Sequence, residues 1–414
     1  MKKIIAIIFA VLTAIGLFAF SACNMGGSGN VNDGTGNGNN GGTQKTEVKG
    51  SLDGNFTEVA PENYDEILER FDGAIPAADD AETAGGNARS AAEITLSIGD
   101  KEIVLTSDSA LDLILDLNKI DQEGLEFISG AAVKNETGIK VDDGFSSEAW
   151  GIVGPIMFGE EYPTLAELLE QEDFQTIARA ITALDGADAN AKFNGYVKDS
   201  KVYTDVKVTG VPEGIREIVS DKFGVDFIAL ANGIKYSFTE EELMTLIGNL
   251  LGSMMGFGGS ENSNYSVKTF GNDNPYALDL SDVDFDYLCE LLKLKLYSED
   301  NNGAIKVKLA TTTDTKMAVE TLLKARFTDE IAEIVNELTV SKLDMEIYLA
   351  LDENNVLTAV AGKVDAEISA TVNEKEVNLS INGALDCSFT VPESIEYPSF
   401  SDYESLGAEQ PNAA

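Results

Sequence analysis

Between Leu343 and Val391 apolar side chains occupy every second position through three successive runs, and few chains tolerate such a pattern except as a sheet with one buried side. Leu343, Met345, Ile347, Leu349 and Leu351 are all odd; Val356, Val360, Val364, Ala366, Ile368, Ala370 and Val372 are all even; Val377, Leu379, Ile381, Leu385, Cys387, Phe389 and Val391 are odd again. Four-residue turns at Asp352-Glu353-Asn354-Asn355 and Asn373-Glu374-Lys375-Glu376 set odd positions against even ones, which brings all three apolar sets to one face. This spacing puts Met345 opposite Gly362, and Gly362 opposite Cys387. Strands so long must coil or bend, and Gly362 and Gly383 are the expected places.

Elsewhere the pattern alternates between helix and hairpin. Pro61 to Phe71 reads as a helix with Tyr64, Ile67, Leu68 and Phe71 on one stripe. Ile75 to Ala92 reads as a loose stretch, and Ile94, Leu96, Ile98, Ile103 and Leu105 as a hairpin about Gly99-Asp100. Leu111, Leu113, Leu115 and Leu117 continue the strands, although Ile114 also suits a helix. Thr164 and Glu167 form a capping box ahead of one helix reaching Leu184. Phe193 to Val208 reads as a hairpin across Lys198 to Lys201. A second capping box, Thr239 with Glu242, opens a helix carrying Leu243 to Leu251, and the Gly, Ser and Asn content of Gly252 to Asn274 marks an internal boundary. Asp282 caps a helix with Phe285, Leu288, Cys289 and Leu292; a hairpin follows across Ser298 to Gly303, then a helical stripe from Val319 to Leu338. The expected fold is α+β: a long curved antiparallel meander with amphipathic helices packed on its apolar face. It divides into an N-terminal α+β region over residues 44–260, a C-terminal one over 275–400 and a loose tail over 401–414.

The chain begins with Lys2 and Lys3, an apolar run from Ile4 to Phe20, and then Ser21-Ala22-Cys23, the layout of a secretory signal. Phe20-Ser21-Ala22-Cys23 resembles the lipobox of bacterial lipoproteins. That resemblance implies removal of residues 1–22, a diacylated Cys23 as the new N-terminus, and a place in the cell envelope, on the extracytoplasmic side of a bacterial membrane. The other reading is an uncleaved membrane helix, for which the run is just long enough. Residues 23–43, nearly all Gly, Asn, Ser, Asp and Thr, form a flexible tether. Helices, a long meander and a last strand entering Val391-Pro392 on such a lipoprotein also resemble the lipoprotein-carrier and mycobacterial lipid-carrier half-barrels. There a curved sheet and a helical lid enclose acyl chains. The likeness is one of topology and transfers no functional residue.

Chemistry is constrained more by absence. With 71 acidic against 29 basic residues and a formal charge of −42, the chain repels polyanions, so nucleic acid is set aside. It contains no His, which removes Ser-His-Asp catalysis and His-ligated metals. Asp282-x-Asp284-x-Asp286 lacks the Gly and bidentate Glu of a calcium loop, and Gly256-x-Gly258-Gly259 lacks the Lys of a phosphate loop. No catalytic residue, metal or cofactor is assigned. Cys289 and Cys387 read as buried hydrophobes, with one bridge between them left open. The expected function is non-enzymatic: binding or carrying an apolar, acyl-type ligand in a slot lined by Ile347, Val364, Ile368, Leu379 and Ile381. The alternative is a structural or protein-interaction module with a filled core and a partner that the sequence does not identify.

Overall fold

A computed structural model describes residues 48–71, 74, 81–119, 128–159, 161–171, 175–223, 225–239, 285–325 and 335–405. Cys23 and the tether, residues 75–80, the helix expected over 240–251, the Gly-rich segment, Asp282 and the central part of the stripe (Phe327, Ile331, Ile334) lie outside them. In chain order the elements are β1 (Thr57–Glu58), α1 (Tyr64–Glu69, after a 3-10 turn at Pro61–Asn63), β2 (Thr83–Ile98), β3 (Lys101–Asp116), β4 (Ile128–Val141), α2 (Phe145–Phe158), α3 (Leu165–Leu169) and α4 (Gln175–Thr182). There follow β5 (Asp188–Lys198), β6 (Lys201–Thr209), α5 (Glu213–Phe223), α6 (Phe227–Asn232), β7 (Ile234–Thr239) and α7 (Phe285–Leu292). The chain ends with β8 (Lys295–Asn301), β9 (Ala304–Ala310), α8 (Thr313–Ala325), β10 (Val335–Leu351), β11 (Leu357–Val372), β12 (Lys375–Ser388) and β13 (Glu404–Ser405).

The described strands form one sheet of thirteen, ordered β1-β8-β9-β10-β11-β12-β2-β3-β4-β5-β6-β7-β13. All pairings are antiparallel except that of β13, which adds to β7 in parallel and so holds the beginning of the tail expected to be loose. The two expected regions share this sheet, because β12 pairs with β2 from Val377↔Ile98 to Ser388↔Asn87. Two-residue turns with positive φ at both positions join β5 to β6 (Asp199, Ser200), β8 to β9 (Asn302, Gly303) and β11 to β12 (Asn373, Glu374). That turn geometry matches the twist of paired strands.

Because side chains alternate, the register sorts the sheet into an apolar and a polar face. The apolar face carries odd residues of β3, β9, β10 and β12 and even ones of β2, β6 and β11. One core lies at its β8–β12 side, where Leu296, Val307, Leu351, Leu357, Val360 and Cys387 meet Leu68 and Phe71 at the end of α1 and Cys289 of α7. Ile139, Val141, Ala187 and Ala189 form another, packed by Phe145 of α2. Trp150, Leu165, Leu168 and Ala178 join α2, α3 and α4 in a third.

The structure revises several expectations. Residues 83–92, read as loose, are the first half of β2; their Ala, Gly and Ser side chains give no alternation, yet β12 and β3 pair with them on both sides. At Gly86 a Cβ would collide with the Ser388 backbone, so the plain sequence permits close approach. The capping box at Thr164 forms, but its helix stops at Leu169 and a separate one begins at Gln175. The helical stripe ends too early: α8 stops at Ala325, and Val335 to Leu338 belong to β10, whose edge against β11 outweighs a spacing that suited either structure. Leu111 to Leu115 are strand.

The meander keeps the expected faces but shifts by two residues. Asn373-Glu374 alone makes the second turn, so Val372 pairs with Lys375, and Gly362 faces Leu385 rather than Cys387. At the first turn the same shift sets Gly362 opposite Ile347, not Met345. An even shift conserves the apolar side, which explains how the periodicity is right while the pairing is not. A Cβ at Gly362 would stand 3.4 Å from the Glu346 carbonyl oxygen and meet no side chain within 4 Å, although its cross-strand partners are Ile347 and Leu385. Gly362→Val, whose γ-methyls must enter the row between Ile347 and Leu385, is expected to cost about 1 kcal/mol, read as a lower urea midpoint; no shift would mean the row has room to spare.

Candidate functional site

Four of the five residues expected to line a slot come together. Val364 and Ile368 on β11, Leu379 and Ile381 on β12, and Ile94 and Leu96 on β2 form one band on the apolar face, with Ile368 opposite Leu379 and Ile381 opposite Ile94. All six are half-buried, and none belongs to the three cores. Ile347 does not join them: it packs against the first core. The band thus lies between two packed regions of the sheet without being part of either.

Beside it the side chains shorten. Gly383, Ala92, Ser107 and Thr137 succeed one another across β12, β2, β3 and β4, and Ser90, Ser109 and Asn135 form the next row. Asn135 donates from Nδ2 to Ser109 Oγ at 2.7 Å, and the Thr137 hydroxyl donates to Asn135 Oδ1 at 3.1 Å. These groups satisfy one another, so they do not need a buried charge to complete them. From β9 across to β7, the described residues on this face are uncharged apart from Lys101 and Lys375 beside turns, and Lys375 reaches Glu148 at 2.7 Å. Such a surface offers contact and exclusion of water.

Cys289 and Cys387 are both buried in the first core, and burial pushes the Cys387 thiol up to about 12. A thiol so protonated is a packing group rather than a nucleophile.

The polar face holds a feature that the sequence did not disclose. Two segments cross it. In the first, the Lys49 and Gly50 backbone N–H groups donate to the two oxygens of Asp386 at 2.8 and 2.9 Å, and Phe56 stacks edge-on against Tyr348. The second runs beyond β12, where Tyr397 donates to the Val197 carbonyl at 3.1 Å and Phe400 stacks on Tyr203 at 3.8 Å. Between them a groove of about 660 Å³ is bounded by Val48 on one bank and Ser394 and Glu396 on the other. Its floor carries Arg89, Asp108, Ala110, Asp112, Lys134, Glu136, Lys192 and Asn194. None of the five expected residues touches it. Its only sequence signal is local: Ala110 and Ala132 interrupt the charged side of β3 and β4, and short side chains there lower the floor.

Fold and faces together define an α+β protein with a single wide sheet, apolar on one side and charged on the other. Comparison with known proteins adds no family: no protein-family model matches the chain, and no curated protein gives a significant match.

Proposed function

We propose that this chain is a non-catalytic carrier or sensor of an apolar, acyl-type ligand, tethered through a lipid on Cys23 to the extracytoplasmic side of a bacterial membrane. The half-buried apolar band around Ile368 and Ile381 supports the ligand reading. Full burial of its six aliphatic side chains would stabilise a bound chain through the apolar area removed from water, and the uncharged face removes the desolvation cost that a buried ion would impose. The charge of −42 keeps the body clear of an anionic membrane surface while the anchor holds it near.

The test is saturable binding of a fluorescent fatty acyl probe to protein beginning at Thr43, which lacks its own lipid. Ile368→Asp is expected to reduce binding at least about tenfold, since an ionised carboxylate would have to be desolvated in the band. Circular dichroism separates loss of binding from loss of fold. Folded wild-type protein that binds neither fatty acid, phospholipid nor polyprenyl probes would favour the interaction module instead. Exposed Met317 and Leu322 on α8 are the observation in favour of that second reading.

A further inference from the structure

We propose that the groove on the polar face binds a short peptide with both termini free, its carboxylate on Lys134 and its ammonium group on the Glu396 side. The proposal concerns a site separate from the apolar band and stands or falls independently of it. Arg89, Ala110, Lys134 and Asn194 are successive cross-strand neighbours on β2, β3, β4 and β5, so they form one row along the floor. Arg89 is committed: Nη2 donates to Asp112 at 2.7 Å, and Nη1 donates to the Ala88 and Leu111 carbonyls at 2.8 Å each. Lys192 is committed to Glu136 at 2.9 Å, and Asn190 donates to the same carboxylate at 3.1 Å. Lys134 alone of the three cations has no ion pair among the described residues, although it is half-buried in a strongly acidic chain.

A half-buried ammonium is stabilised by any anion brought to it. The amide of Asn194 stands beside it and has only a long contact, 3.4 Å, to Asp205, so it can donate to the same anion. A polyanion does not fit: the whole chain, with a formal charge of −42, repels it, and Glu396 adds a carboxylate on the bank. A zwitterion meets both demands, presenting one negative group to Lys134 and one positive group to the acidic bank. At about 660 Å³, the groove falls within the range that encloses a ligand of several residues. The Ser394 hydroxyl and the apolar Val48 on opposite banks suit a peptide backbone with small side chains.

Isothermal titration calorimetry of the full chain with trialanine tests this directly. The unmodified peptide is expected to bind saturably. Amidating its C-terminus, or substituting Lys134→Met, should each weaken binding about ten- to hundredfold, and the two together should weaken it no further, because both delete one contact. Acetylating the N-terminus should act in the same way, matched by Glu396→Gln. Absence of saturable binding overturns the proposal, as does amidated peptide binding as well as the free form. Displacement by inorganic phosphate as effective as that by peptide would also overturn it, since Lys134 would then be a simple anion site. If Lys134→Met alters the circular dichroism spectrum, the amidated and acetylated peptides on wild-type protein carry the decision unaided.

Discussion

Leu296→Ala is expected to lower the free energy of unfolding by about 2–5 kcal/mol. Leu296 has no exposed surface. It faces Leu309 across the β8–β9 ladder, and its backbone is held on both sides: the N–H donates to the Tyr64 hydroxyl at 3.1 Å, and the carbonyl accepts from Val59 N–H at 2.9 Å. Those bonds fix the strand against Val59 and the start of α1, so the surroundings cannot close over the deleted methyl groups. Urea denaturation should show a lower midpoint with an unchanged slope. A cost below about 1 kcal/mol would mean that the core collapses freely and that the backbone bonds do not hold it open.

The second large effect lies at the start of α2. Asp185 accepts from the Ser146 backbone N–H at 2.8 Å and from its hydroxyl at 2.6 Å, and Ser146 is only 3% exposed. An acidic group from a distant segment thus caps one of the donors that a helix N-terminus leaves open. Asp185→Ala would strand both donors and should cost about 3 kcal/mol, whereas Asp185→Asn keeps one acceptor and should cost roughly half as much. Hydrogen exchange localises the effect: the first turn of α2 should lose protection ahead of β2 and β3. Unchanged protection there in the Ala variant would refute the capping role.

The contrast between what was legible and what was not follows from which interactions are local. Alternation from Leu343 to Val391 is a property of consecutive residues, and it fixes faces whatever the neighbouring strand is. Pairing depends on the turn, and Asn373 and Glu374 both adopt positive φ without the Gly that would signal such a turn. Thr83 to Ala92 were illegible for the opposite reason: small side chains carry no period, and their strand structure is imposed by partners far along the chain. The same is true of Val335 to Leu338, where spacing fitted a helix and an available strand edge decided otherwise. At the apolar band, Val364, Ile368, Leu379 and Ile381 could be named because they lie on adjoining strands. The groove could not, since its banks are two segments from opposite ends of the described chain and meet only after the sheet has formed.

The pairing of β2 with β12 sets an order of events. Ile98 lies against Val377, so one edge of the first long strand stays bare until β12, far along the chain, has been made. Through that interval β2, β3 and β4 present an open row of backbone donors and acceptors above an uncharged face, the combination that invites pairing with other chains. Topologies dominated by such distant partners fold slowly. The chain's formal charge of −42 then has a use before the native state exists, because like-charged nascent chains repel one another while β2 waits for β12.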